Sequence, residues 1–201
     1  MNAKTDQKEL SHQTILESAA RLVREKGIAG AKVADVMKGA GLTVGGFYAH
    51  FASKEVLIDE ALRRTGATMR GRLFTRLDEK PKAARAEVLL KRYLSAANRD
   101  ETTLGCPLPA VVGEVGTTAP EHGEVLSEQV QLLARGIEEQ LPELATGVTP
   151  KVLAIGLVAL MYGGLSLARA VRGTAFSDEM LKATRAVGLT LLQKTAAKKE
   201  R

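Results

Sequence analysis

The chain has 201 residues, 45% apolar and 26% charged, which is enough apolar material for a packed domain, or a small domain joined to a larger one, and too much for a disordered chain. One cysteine and no tryptophan exclude an internal disulfide framework and point to a reducing compartment. The net charge of +6 is uneven: residues 1–99 carry 19 Lys and Arg against 11 Asp and Glu, residues 100–149 carry Arg135 alone against nine acids, and residues 150–201 carry nine against three. Such a division suggests a basic half facing a polyanion and an acidic middle held away from it, the plainer reading being solvated surface charge.

In chain order, the opening MNAKTDQKELSHQTIL lacks the apolar core of a secretory signal, so a cytoplasmic protein is expected. Ile15, Ala19, Leu22, Val23 and Lys26 fall at helical steps, which predicts a first helix from about Gln7 to Lys26 closed by Gly27. A short helix from Lys32 to Gly39 follows, then a turn at Ala40, Gly41 and Leu42. Thr43 is placed to cap a second short helix, Val44 to Phe51, and Ser53 to cap a longer one from Lys54 to about Leu77. Pro81, Pro107, Pro120 and Pro150 each suit the first turn of a helix, which predicts helices over 81–98, 107–116, 120–141 and 150–172, with a last one over 177–197 and a frayed basic tail AAKKER. The expected fold is therefore all-α, with about nine helices and no competing strand pattern. A three-helix unit at residues 1–53 precedes a larger helical domain at 54–201. The uncharged run Val152 to Ala168 is short for a membrane span and reads as a buried helix, so no membrane partner is expected.

Two short helices about a glycine turn have the helix-turn-helix arrangement, whose second helix enters the major groove of DNA. At about 100° per residue, Val44, Phe47, Tyr48 and Phe51 share one side of that helix, and Gly45, Gly46, Ala49 and His50 the other. The rings are expected to anchor the helix, because each glycine weakens it by about 1 kcal/mol relative to alanine. Two readings of Gly45 and Gly46 stay open: they let the backbone approach the groove floor, where Thr43 and Val44 meet thymine methyl groups, or they relieve crowding against a neighbouring helix.

Over residues 8–60 the chain resembles the DNA-binding domain of the TetR family of bacterial transcriptional repressors. The resemblance is carried by TILESAARLVREKGIAG and VADVMKGAGLTVGGFYAHFASKEVL, with the KG helix end, the AGL turn, FYxHF and SKE in the family's order and spacing. It places the turn and recognition helix on Thr43, Val44, Gly45, Gly46, Tyr48 and His50. It also implies phosphate contacts from Tyr48, His50 and Lys54, the last at a helix amino terminus, which is a good anion site. Lys32 is a further candidate beside ordinary surface charge, and His50 has the alternative of a satisfied core histidine. The chain departs from the family at Val44, Gly46, Ala49 and Ala31-Lys32. With no arginine or glutamine on the recognition helix, bidentate base readout is scarce, and specificity falls to methyl contacts and DNA shape.

The same resemblance implies that the carboxy-terminal half pairs two chains into a homodimer and encloses a small-molecule effector of unknown identity. Ala159, Gly163, Ser166 and Ala170 form a small-residue stripe that allows close helix approach, and Thr184 and Gly188 give the last helix a similar feature. The stripe fits either a dimer interface or the protomer core. Met69, Tyr93, Val111, Met161 and Tyr162 are candidate pocket residues or plain core. Glu114 either attracts a cationic ligand or faces water. Cys106, before Pro107 at a helix start, is either a thiol sensor or a small buried residue. The three histidines, His12, His50 and His122, have no metal-ligand spacing, and no nucleophile elbow or phosphate loop is present in the sequence. The expected function is a repressor that releases operator DNA when a small molecule binds, without enzymatic activity, cofactor or metal. An architectural DNA binder without an effector is the other class to weigh.

Overall fold

The computed structural model describes residues 3–145 and 147–195. The chain is all-α, with helices α1 (Ala3–Gly30), α2 (Val33–Gly39), α3 (Lys54–Phe74), α4 (Lys82–Tyr93), α5 (Ala96–Asp100), α6 (Leu108–Val115), α7 (Gly123–Glu138), α8 (Pro150–Ala170) and α9 (Ala175–Thr195). Two 3-10 helices, η1 (Val44–Ala49) and η2 (Pro120–His122), complete the described elements. The basic tail expected at 196–201 lies outside the described residues.

All four helix-starting prolines hold that role: Pro81 and Pro107 stand at the N-caps of α4 and α6, and Pro120 and Pro150 open η2 and α8. Gly27 ends the regular part of α1 at φ 74°, a left-handed conformation that glycine adopts without strain, and one further turn follows it. The helix expected over 81–98 is divided at Leu94, where Ser95 accepts the Asn98 amide at 3.1 Å and starts α5.

The chain separates into two compact units. One contains the residues up to Thr68 together with Thr102–Gln129; the other contains Met69–Glu101 together with the chain from Val130 onward. The expected boundary at residue 53 falls inside the first unit.

In the first unit, Ile15, Leu22 and Val23 of α1 pack with Met37 of α2, Phe47, Phe51, and Leu57 and Ile58 of α3. Val111 and Val115 of α6 complete that core. Burying these apolar side chains supplies the main drive to fold the unit. The α6 segment is also tied to α1 by polarity: the Ala29 amide donates to the Glu114 carboxylate at 2.7 Å. Buried His122 bonds through Nδ1 to Asp59 at 2.7 Å, and Arg63 pairs with Glu128 at 3.1 Å. Much of the acidic stretch therefore belongs to the basic amino-terminal unit instead of standing away from it, because its apolar residues are needed in that core.

In the second unit α8 packs along α9. Gly164 makes room for Thr184, whose methyl carbon would lie 2.5 Å from any Cβ at 164, and Gly188 lies against Leu90 and Leu160. Arg99 of α5 reaches Asp178 and Ser177 of α9 at 2.6 and 2.8 Å. Helix α8 is long and apolar enough to cross a membrane, with a mean hydropathy of 1.8, and 44% of that window is buried. The expectation of a buried helix thus holds for one face only.

Candidate nucleic-acid interface

The turn after α2 is built by hydrogen bonding. The Leu42 amide donates to Met37 O at 2.9 Å and the Gly41 amide to Lys38 O at 3.1 Å, the Schellman pattern, with Gly41 at φ 71°. Thr43 is extended and its hydroxyl makes no capping bond, against expectation; the Gly46 amide instead bonds the Thr43 carbonyl at 3.1 Å. The element that follows is a six-residue 3-10 helix. Two adjacent glycines in so short a segment give little drive toward the α form, and the tighter winding satisfies its few amides.

Phe47 and Phe51 anchor η1 as expected, stacked at 5.9 Å between centroids, and Phe51 stacks in turn on His12 at 4.4 Å. His12 is held by Glu60 at 3.2 Å. Tyr48 and Val44 do not share that anchoring side. Tyr48 is 77% exposed and only edges onto Phe47, and Val44 is 52% exposed. The 3-10 winding sets Tyr48 about 120° round from Phe47, and Val44, at the first residue of η1, is exposed beside Thr43, Gly45 and Ala49. The anchoring falls to the two phenylalanines, which leaves a broader outward edge.

The glycines themselves need no room inside the protomer. Among the described residues, a Cβ built on Gly45 would meet nothing within 4 Å, and one on Gly46 only Met37 Cε at 3.9 Å. Neither has a positive φ among the described backbone. Crowding against a neighbouring helix therefore does not account for the pair.

His50 is half-buried, and its Nδ1 is buried with no hydrogen-bond partner among the described residues. Burial, and then the neighbouring His12 and Lys8, hold its pKa below the ordinary value of 6.5, so it is neutral at pH 7. Lys54 is half-exposed at the first residue of α3, where Ser53 Oγ accepts the Val56 amide at 3.3 Å, the cap that was expected. Lys32 is exposed at the start of α2. Cations thus stand at two helix starts, one of them at Lys54, five residues past the end of η1, and a cation at a helix start suits phosphate.

The other candidate residues are dispersed. Val111 is core of the first unit, and half-exposed Glu114 accepts the Ala29 amide, so one oxygen of its carboxylate is engaged within the fold. Cys106 is in the same unit and 1% exposed. Met69, Tyr93 and Met161 are buried in the second unit, with Tyr162 half-buried. Thr184 and Gly188, expected at a dimer interface, are buried against α8 and α4, where their small size serves packing inside the protomer. Ala159 and Ala170 are exposed, and Gly163 and Ser166 half-exposed, so that stripe is on the outer face of α8.

A cleft of about 540 Å³ in the second unit was not anticipated; Arg70, Phe74, Leu77, Arg85, Leu132 and Arg135 are among its walls. Arg135, the lone basic residue in the acidic stretch, was its one visible sign in the sequence.

Residues 15–61 match the family described as bacterial regulatory proteins, tetR family. The HTH-type transcriptional repressor KstR2 of Mycobacterium tuberculosis is 47% identical over 49 residues, which are 24% of each chain. The uncharacterised HTH-type transcriptional regulator YvdT of Bacillus subtilis is 36% identical over 66 residues, 31% of this chain and 34% of YvdT. The likeness to these relatives thus spans a quarter to a third of their length. Among solved structures, a TetR transcriptional regulator from Chloroflexus aurantiacus superposes with a TM-score of 0.77 at 23% identity, covering 94% of this chain and 98% of that one. The reduced form of Escherichia coli NemR gives 0.73 at 22% identity, covering 90% and 95%. At such identities these two likenesses speak to the fold.

Proposed function

We propose that this chain, which belongs to the TetR family of bacterial regulatory proteins through its amino-terminal domain, is a cytoplasmic, homodimeric transcriptional repressor. In this reading η1 enters the major groove of an operator and a small molecule bound to the carboxy-terminal unit releases it. The observation that carries the DNA reading is the open space around Gly45 and Gly46 beside outward Tyr48 and Val44. A segment with no internal need for two glycines has a surface that another molecule's edge can approach closely. Tyr48, His50 and Lys54 hold phosphates, while Thr43, Val44 and the glycine backbone face the bases.

Pairing is supported by the outer face of α8 and α9. Leu167 and Val187 are 54% and 52% exposed, in line with Val152, Ile155, Ala159 and Gly163 on α8 and Leu191 on α9. An apolar face of this length is costly in water, and a second copy of the same face covers it by two-fold symmetry. Two recognition helices then meet successive major-groove turns, about 34 Å apart. The effector acts by binding more tightly to an arrangement in which that spacing is lost, and operator DNA reciprocally weakens effector binding.

The test is binding of the full chain to DNA from upstream of its own gene, in rising salt, against Tyr48→Ala with Lys54→Ala. A tight, sequence-dependent complex that the double variant loses supports the reading. A complex indifferent to sequence and to both substitutions favours an architectural binder.

A further inference from the structure

The cleft of the second unit has a chemistry of its own. Phe74 lies directly on the backbone of α7 at Gly136, where an added Cβ would come within 2.7 Å of the ring. The missing side chain thus lets a flat apolar wall form, continued by Leu77 and Leu132. Around it stand three guanidinium groups, Arg70, Arg85 and Arg135, with Asp78 and Glu139 also at the edge. Neither carboxylate forms an ion pair with Arg85 or Arg135 among the described residues. Arg85 donates to the carbonyls of Lys80 and Asp78 at 2.9 and 3.0 Å, and more weakly to Gln140 Oε1 at 3.4 Å. Those acceptors are neutral, so they fix the guanidinium without cancelling its charge. The Arg135 guanidinium has no hydrogen-bond or ion-pair partner among the described residues, although Glu139, whose amide donates to the Arg135 carbonyl at 3.0 Å, is one helical turn along.

We propose that this cleft binds a small amphipathic organic carboxylate, with its anionic head on the Arg135 fork and its apolar body against Phe74, Leu77 and Leu132. A volume of about 540 Å³ fits a small molecule, since such sites span roughly 300–1,000 Å³. A guanidinium fork matches a carboxylate in two parallel hydrogen bonds, which a neutral amide of the same shape cannot reproduce. The inference rests on the effector reading above and assigns the effector a chemical class.

The experiment titrates the full chain, without DNA, with 2-naphthoate, neutral 2-naphthamide and cationic 2-naphthylmethylammonium by calorimetry. It is repeated with Arg135→Gln, and circular dichroism confirms that this exposed substitution leaves the helices intact. Naphthoate is expected to bind at least about tenfold more tightly than the amide, and Arg135→Gln to abolish that preference while changing amide binding less than about twofold. Equal binding of the three probes, a preference that survives Arg135→Gln, or no saturable binding of naphthoate at millimolar concentration overturns the proposal. Release of operator DNA is measured separately. Arg135-dependent binding that leaves the DNA complex intact upholds the site and counts against the effector reading.

Discussion

In the proposed DNA complex, Gly45 is the residue at which folding and recognition make opposite demands. Its Cβ position is open and its φ is not left-handed, so Gly45→Ala is expected to raise stability by roughly 0.5–1 kcal/mol. The same methyl group stands where a base edge must come, so operator affinity should fall by about tenfold or more, which thermal unfolding and a DNA titration on one sample read together. An alanine variant that is more stable and binds DNA as tightly would remove the backbone-approach argument. His50 gives a second prediction at this scale. Its folded pKa is below 6.5, chiefly through burial and then through His12 and Lys8. The unfolded chain therefore binds the proton more readily, and the stability that His50 contributes is full above about pH 6.5 and lost as the pH falls below it. Thermal unfolding from pH 7.5 to 5 should show that decline, with a shallower slope in His50→Gln. The residues that sequence reasoning placed well are those with local constraints, such as Gly41 in its turn and Ser53 at its cap. Tyr48 turns outward because the segment winds as a 3-10 helix, about 120° per residue; Val44, eclipsed with Phe47 in that winding, is exposed at the open first turn, which the helical pattern does not show.

At the scale of elements, the joint between α1 and α6 sets the architecture of the first unit. Gly27 turns the chain at φ 74°, and its missing side chain leaves space for the Glu114 carboxylate, which an added Cβ would approach to 1.9 Å. Glu114→Ala removes a charge-assisted bond to Ala29 and should cost about 1–2 kcal/mol in chemical unfolding. Gly27→Ala should cost more, about 1–3 kcal/mol, because strain at positive φ adds to the clash. A Glu114→Ala variant as stable as the parent would show the bond to be incidental. Helix positions were legible in the sequence because prolines and caps act within a few residues. The membership of α6 in the amino-terminal core was not, since it depends on contacts between residues some 85 positions apart. The same holds for Thr184 and Gly188. A small residue looks alike in sequence whether it admits a neighbouring helix of its own chain or of a second copy.

For the whole molecule, the proposed function requires a dimer held by the outer faces of α8 and α9. Leu167→Glu places a charge in the middle of that face and should give a helical monomer by sedimentation velocity at micromolar concentration, with operator affinity lowered by at least about tenfold because one half-site is left unbound. A dimer unchanged by Leu167→Glu would place pairing elsewhere. Sequence-specific operator binding is tested by selection of bound duplexes by the full chain from a random-sequence DNA pool, followed by sequencing. Two-fold binding should enrich an inverted repeat whose half-site centres are about one helical turn apart, roughly 34 Å, and that enrichment should be lost with Tyr48→Ala and Lys54→Ala together. A selected pool no different in sequence from the starting one would contradict it.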